Sequence, residues 1–144
     1  MKYVCGFAIY NNFVFLVLKQ FGPEVVLGKW NGIGGKIEDG ESSQAAMTRE
    51  FLEETGLLIG DWHKFCSLRH ANTFEVDFYY SFFVNPSWPL TYAWPTRNDV
   101  GEPLAWRDSL TGAVPNLKWL LPMARSIALS EESASVFVVE QRLA

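Results

Sequence analysis

The stretch GGKIEDGESSQAAMTREFLEETGL, residues 34–57, decides how this chain is to be read. Ser42–Thr55 is expected to be a helix, ended by Gly56 in the position a left-handed C-cap wants. Successive residues of a helix are rotated by about 100°, so Glu50, Glu53 and Glu54 share an arc of about 100°. Ala46 lies among these carboxylates and leaves their face uncrowded, while Ala45, Thr48, Leu52 and Thr55 fall on the opposite side and are expected to face the core. Like charges at this spacing cost a helix roughly 0.2–0.5 kcal/mol per pair. Arg49 offers local relief to Glu53, and no Lys lies on the helix, so something positive is expected at that face. Clustered carboxylate oxygens are hard ligands that suit Mg²⁺ or Mn²⁺. The same residues also fit a plain solvated acidic face that holds no metal.

Upstream, Gly34-Gly35-Lys36 can aim backbone N–H groups and the Lys36 amine at an anion near the helix start. Glu38-Asp39-Gly40-Glu41 leads into the helix. Trp30 stands where a P-loop needs its first Gly, and no G-x-G-x-x-G run is present, so neither phosphate-binding fingerprint applies. An anion-tolerant loop feeding a carboxylate helix remains, an arrangement suited to metal-bridged phosphate.

Outward from this segment, Tyr3–Tyr10 and Phe13–Gln20 read as strands joined by a tight Asn11-Asn12 turn. Phe21–Gly32 reads as a connection and Ile33–Ile37 as a short extended piece. Lys64–His70, Phe74–Asn85, Glu102–Arg107 and Val136–Val139 are further strands. Pro86–Gly101 shows no clear period and reads as a long connection of the kind that forms lids or binding loops. Asn116–Leu129 carries Leu117, Leu120, Leu121, Ala124 and Ala128 at helical spacing; Pro122 must kink this helix or lie near a late start. Strands surround and separate the two helices, which predicts a mixed α/β domain with one sheet between helices.

The 144 residues suit one domain, 1–144. An apolar share of 49% supplies a core and excludes a disordered chain. The net charge of −4, with no basic stripe, argues against binding duplex nucleic acid. No apolar run is long enough to span a bilayer, and Cys5 and Cys66, far apart, suit free thiols in a reducing compartment, so a cytoplasmic protein is expected. His63 and His70 match no metal-ligand spacing, and Cys66 on an apolar strand reads as a buried thiol.

Gly35-x5-Glu41-x7-Arg49-Glu50-Phe51-x-Glu53-Glu54-x-Gly56-Leu57 fits the signature box of the Nudix hydrolases at every fixed position. Lys29-Trp30-Asn31-Gly32-Ile33-Gly34-Gly35-Lys36 resembles the approach segment of MutT-like members that clear damaged purine nucleoside triphosphates. The resemblance implies a Nudix-type α/β/α sandwich with a mixed sheet, and hydrolysis of a nucleoside diphosphate linked to some further group, usually with Mg²⁺. Carried over by position, Glu50, Glu53 and Glu54 would ligate metal, Gly35 would add its carbonyl, Glu53 would help deprotonate water, and Arg49 would orient a glutamate.

Many members of that family use another acidic residue after the box; Glu102 is the candidate here and Asp99 the weaker one, an ordinary strand-edge carboxylate being the alternative. Asn116 stands where MutT-like enzymes read a purine edge, although Asn is also a favoured N-cap; Asn31 has similar standing as a base reader or a turn residue. Lys36 completes the substrate-binding set. Trp88, Trp94 or Phe74 could stack on the base, and Val114 occupies a place where some relatives carry a stacking Trp.

The expected activity is Mg²⁺-dependent pyrophosphohydrolysis of purine deoxynucleoside triphosphates, oxidised ones such as 8-oxo-dGTP included, releasing nucleoside monophosphate and pyrophosphate. Other readings are the same chemistry on ADP-ribose, a dinucleoside polyphosphate or a pterin triphosphate, or a non-catalytic nucleotide-binding module. The expected partner is a small nucleotide, with the chain a monomer or homodimer.

Overall fold

The computed structural model describes residues 1–10, 13–71, 73–82, 94–95, 100–105, 111–129 and 137–141; at 94–95, 100–105, 137 and 141 only the backbone is described. The elements in chain order are β1 (Lys2–Tyr10), β2 (Phe13–Leu18), β3 (Trp30–Asn31), β4 (Ile33–Lys36), α1 (Ser43–Thr55), β5 (His63–His70), β6 (Phe74–Phe82), β7 (Trp94–Pro95), β8 (Val100–Ala105), α2 (Leu117–Ala128) and β9 (Phe137–Gln141). The strands form one sheet in the order β7-β8-β2-β1-β6-β5-β9, with β3 added to β2 and β4 added to β1. Pairing of β1 with β6 and of β5 with β9 is parallel and the rest antiparallel, so the sheet is mixed.

The strand β1 organises the sheet. Along one edge it runs parallel to β6 from Lys2 to Ile9. Its other edge is divided: Ala8–Tyr10 pair with β2 and Tyr3–Gly6 pair with β4. Because side chains alternate across a strand, Cys5, Phe7 and Ile9 enter one apolar layer while Val4 and Ala8 enter the other. The first layer packs beneath α2 through Leu117, Leu120, Leu121 and Ala124, and the second beneath α1 through Ala46, Met47 and Phe51. The expected sandwich of helix, mixed sheet and helix is what forms. Tyr10 and Phe13 are paired across the expected hairpin, whose turn residues Asn11 and Asn12 lie outside the described residues.

Several local expectations are corrected. The buried face of α1 is Ala46, Met47, Glu50, Phe51 and Glu54, whereas Leu52 is exposed and Ala45, Thr48 and Thr55 stay out of the core. Periodicity gives the angles between residues but not the rotation of the helix about its axis; the large Met47 and Phe51 side chains outweigh Leu52 and turn two carboxylates inward. Phe21–Gly32 is not all connection, since Trp30–Asn31 pairs with β2. Within Pro86–Gly101, Trp94–Pro95 forms a strand against β8, which itself begins at Val100. The helix α2 starts at Leu117, so Pro122 lies inside it rather than near a late start.

Beneath the start of α1 lies a buried polar cluster. Lys64 Nζ is 2.8 Å from Asp77 Oδ1, Ser67 Oγ donates to the same oxygen at 2.5 Å, and Ser43 Oγ donates to Oδ2 at 2.6 Å. Tyr79 donates to Ser43 Oγ at 2.8 Å, which ties the first turn of α1 to β5 and β6. Burial pushes the Asp77 carboxyl up, but the bonds from Lys64, Ser43 and Ser67 outweigh it and hold the group below the ordinary carboxylate value. A depressed folded-state value contributes stability above the unfolded-chain value and loses it as pH falls through the folded one. Asp77→Asn is therefore expected to cost about 2 kcal/mol at pH 7, the exposed end of Lys64 limiting the loss. Urea melts from pH 7 down to pH 3 should show the gap between the two proteins closing on the acid side; a gap independent of pH would remove Asp77 from this account.

Candidate active site

The helix α1 is placed by signals at both ends. Ser42 caps it by accepting from Ala45 N at 3.1 Å, and Gly56, at φ 77°, supplies the left-handed residue that ends it. Its buried face meets β4. Gly35 is paired with Val4, whose side chain lies in the layer under α1, so Gly35 also faces that helix. A methyl group on Gly35 would stand 2.4 Å from the Glu50 carboxyl, so only glycine leaves that carboxylate its place.

Glu50 and Glu54 are buried, at 7% and 8% exposure, so these two carboxylates are not part of a solvated acidic face. The Glu53 side chain is 37% exposed. Arg49 gathers the group by using all five of its N–H donors. Nε and Nη2 form a two-pronged pair with Glu41, at 2.8 and 3.0 Å. Nη1 donates to Glu50 Oε1 at 2.8 Å and to Glu53 Oε2 at 3.3 Å. The remaining Nη2 proton goes to the Lys36 carbonyl at 3.0 Å, fixing helix to strand. Bonds to Glu41 and Glu50 push the guanidinium up, and the same contact holds the Glu41 carboxyl below its ordinary value.

The expected pair of Arg49 with Glu53 is thus the longest of four contacts to carboxylates. Glu41 is the residue that sequence reasoning left out of the site. Its fixed spacing to Arg49 was visible, but the loop that folds it back onto the helix was not. One guanidinium stands among three carboxylates, those of Glu41, Glu50 and Glu53. Among the described residues no three His, Cys, Asp or Glu side chains already converge on one point. Lys36 contributes its carbonyl to Arg49 and has an exposed side chain. Glu102 lies on β8 opposite Leu16, with its carboxylate outside the described atoms, and Asp99 and Trp88 lie outside the described residues.

A cavity of about 750 Å³ opens on the α2 side of the sheet, bordered by Asn31, Asn116, Cys5, Phe74 and Trp119 over an apolar floor. Segment 112–114 brings α2 there, because Trp30 N donates to Gly112 O and Val114 N donates to Trp30 O, each at 3.0 Å. Asn31 and Asn116 are therefore brought to one cavity, as a base-reading pair requires. Asn116 occupies the N-cap position of α2 as the alternative had it, but its side chain makes no capping hydrogen bond. The Asn31 amide is oriented by its donors. Gly32 N at 2.8 Å and the Cys5 thiol at 3.8 Å both point at Oδ1, which leaves the amide nitrogen as the free hydrogen-bonding end. Burial pushes the Cys5 thiol up to about 12 and Cys66 up to about 11, so both stay protonated. Cys66 is fully buried as expected. Val114 is buried on the cavity wall.

The glycine-backed carboxylate helix and the sheet that carries it have known counterparts: the NUDIX domain family matches residues 2–134. The chain belongs to the NUDIX family. Among curated relatives, an oxidized purine nucleoside triphosphate hydrolase of Danio rerio is 48% identical over 42 residues, 29% of this chain and 27% of the relative. A putative 8-oxo-dGTP diphosphatase 2 of Mycobacterium tuberculosis is 39% identical over 54 residues, 38% of each chain. These matches therefore span well under half of the relatives' lengths. A MutT protein of Bacillus halodurans has a similar fold, with a TM-score of 0.69 and 15% identity over 98% of this chain and 90% of its own. No helix among the described residues of this NUDIX protein is long and apolar enough to cross a membrane.

Proposed function

We propose that this NUDIX protein is a Mg²⁺-dependent pyrophosphohydrolase of purine nucleoside triphosphates, acting on oxidised purines such as 8-oxo-dGTP and releasing nucleoside monophosphate and pyrophosphate. The observation that carries the reading is the burial of Glu50 and Glu54 beside Gly35, with a single guanidinium among Glu41, Glu50 and Glu53. Buried carboxylates need a compensating charge, and an excess of hard oxygen donors fits a divalent cation. Glu50, Glu53, Glu54 and the Gly35 carbonyl would hold it. When bound, the ion would neutralise phosphate charge and lower the pKa of water.

The protein groups then have distinct tasks. Arg49 holds Glu50 and Glu53 in place and ties them to the Lys36 carbonyl. Glu53 is the carboxylate open to solvent, so it is suited to take a proton from the attacking water. Glu102 is a second candidate for that proton. The run β3–β4 links the two halves of the site, with Asn31 at the cavity and Gly35 against Glu50. The Asn31 amide nitrogen would donate to an acceptor on the base edge, such as a 6-oxo group. Asn116, whose amide can be turned either way, would read a second edge atom. The cavity of about 750 Å³ lies within the usual size for small-molecule sites.

Pyrophosphate release with Mg²⁺ should be measured on 8-oxo-dGTP, dGTP and dATP beside ADP-ribose, a dinucleoside polyphosphate and a pterin triphosphate. Highest kcat/KM on the oxidised purine is expected. A preference for one of the last three would replace the substrate, and calorimetric binding without turnover in Mg²⁺ or Mn²⁺ would make the chain a binding module. Gly35→Ala is expected to lower Mn²⁺ affinity on the order of tenfold by displacing Glu50. A Mn²⁺ titration followed by water relaxation reads this directly, and unchanged affinity would detach Gly35 and Glu50 from the metal.

A further inference from the structure

We infer that Trp119 is the ring on which the nucleobase stacks, in place of an aromatic at position 114. This rests on the proposed nucleotide reading of the cavity and names how the base is held there. Among the described residues, four aromatic side chains border the cavity: His70, Phe74, Phe78 and Trp119. Three of them are committed to other rings. His70 and Phe74 are stacked face to face, with centroids 4.9 Å apart and planes 4° from parallel. Phe74 also meets Tyr3 edge-on, and Phe78 is buried and lies 6.2 Å from Phe7 with planes 8° apart.

Trp119 differs on each count. Among the described residues it has no ring partner, and it is 37% exposed while Leu117, Leu120 and Leu121 around it are completely buried. A tryptophan left over a cavity wall in this way presents a large apolar face at little cost in conformational entropy. Its position explains how it would cooperate with Asn116. Residues three apart on a helix share a side, so the amide that reads an edge and the ring that covers a face come from one turn. Val114, buried in the wall, has no π-face to offer, and the indole five residues later supplies one. Stacking tolerates any planar base, so Trp119 sets affinity while the two amides set selectivity.

Trp119→Ala and Trp119→Phe in the full chain test this. Titration calorimetry with the nucleoside 8-oxo-deoxyguanosine reads the cavity alone, because that probe carries no phosphate. The alanine variant is expected to weaken nucleoside binding about tenfold or more, and the phenylalanine variant to recover most of it. Hydrolysis of 8-oxo-dGTP should show the same loss in KM with kcat little changed, while melting temperature stays close to wild type. Wild-type protein that binds no nucleoside, or an alanine variant that binds it as tightly as wild type, would overturn the inference. A fall in melting temperature with nucleoside affinity unchanged would assign the ring to packing instead. Failure of hydrolysis with nucleoside binding intact would sink the hydrolase reading and leave the role of Trp119 standing.

Discussion

Glu53→Gln is expected to reduce kcat for nucleoside triphosphate hydrolysis by about a thousandfold while leaving the fold intact. The substitution keeps the shape of the side chain and removes both its negative charge and its capacity to accept a proton. Glu53 is the most exposed of the three clustered helix carboxylates, and its contact with Arg49 is 3.3 Å, longer than the bond to Glu50. An exposed ion pair of that kind contributes about 1 kcal/mol or less, so the melting temperature should barely move. Steady-state pyrophosphate release beside a thermal melt separates the two effects. Equal activity in variant and wild type would take Glu53 out of the reaction and move attention to Glu102, whose backbone the sheet places on β8.

The second large effect is expected at Arg49. Lysine retains the charge, but it has three donors on one atom and cannot reproduce a planar fork. Arg49→Lys would break the two-pronged pair with Glu41 and lose at least some of the bonds to Glu50, Glu53 and the Lys36 carbonyl. Glu50 would then be a buried carboxylate with its 2.8 Å partner gone. The expected cost is about 3 kcal/mol, since charge-assisted bonds are lost around a partly buried group. For a domain of this size that corresponds to a fall in Tm of roughly 5–10 °C. Activity should fall with it, on the order of a hundredfold, because the carboxylates lose their orientation. A variant of wild-type stability and activity would show that charge alone holds the cluster.

Much of the site was legible in the order of residues because its elements are local. Glu50, Glu53 and Glu54 are neighbours on one helix, Gly56 ends that helix, and the spacing from Gly35 to Leu57 needs no tertiary contact to be recognised. Asn31 and Asn116 were harder, since each has an ordinary turn or capping role that fits equally well. Their common place at one cavity depends on the pairing of Trp30 with segment 112–114. Glu41 was visible as a fixed position and invisible as a partner, because a loop brings it back across the first turns of the helix to Arg49.

What the sequence alone determined is the kind of helix at Ser43–Thr55, its ends, and the mutual angles of its carboxylates. These follow from backbone geometry that operates over a few residues. The direction in which those carboxylates point was decided only by the tertiary structure. Packing of Met47 and Phe51 against β1 and β2 set the rotation of α1, drove Glu50 and Glu54 inward, and left Leu52 in solvent. A helical wheel has no preferred origin; a sheet lying against it supplies one, because burying the larger apolar area outweighs the cost of taking the Glu50 and Glu54 carboxylates with it.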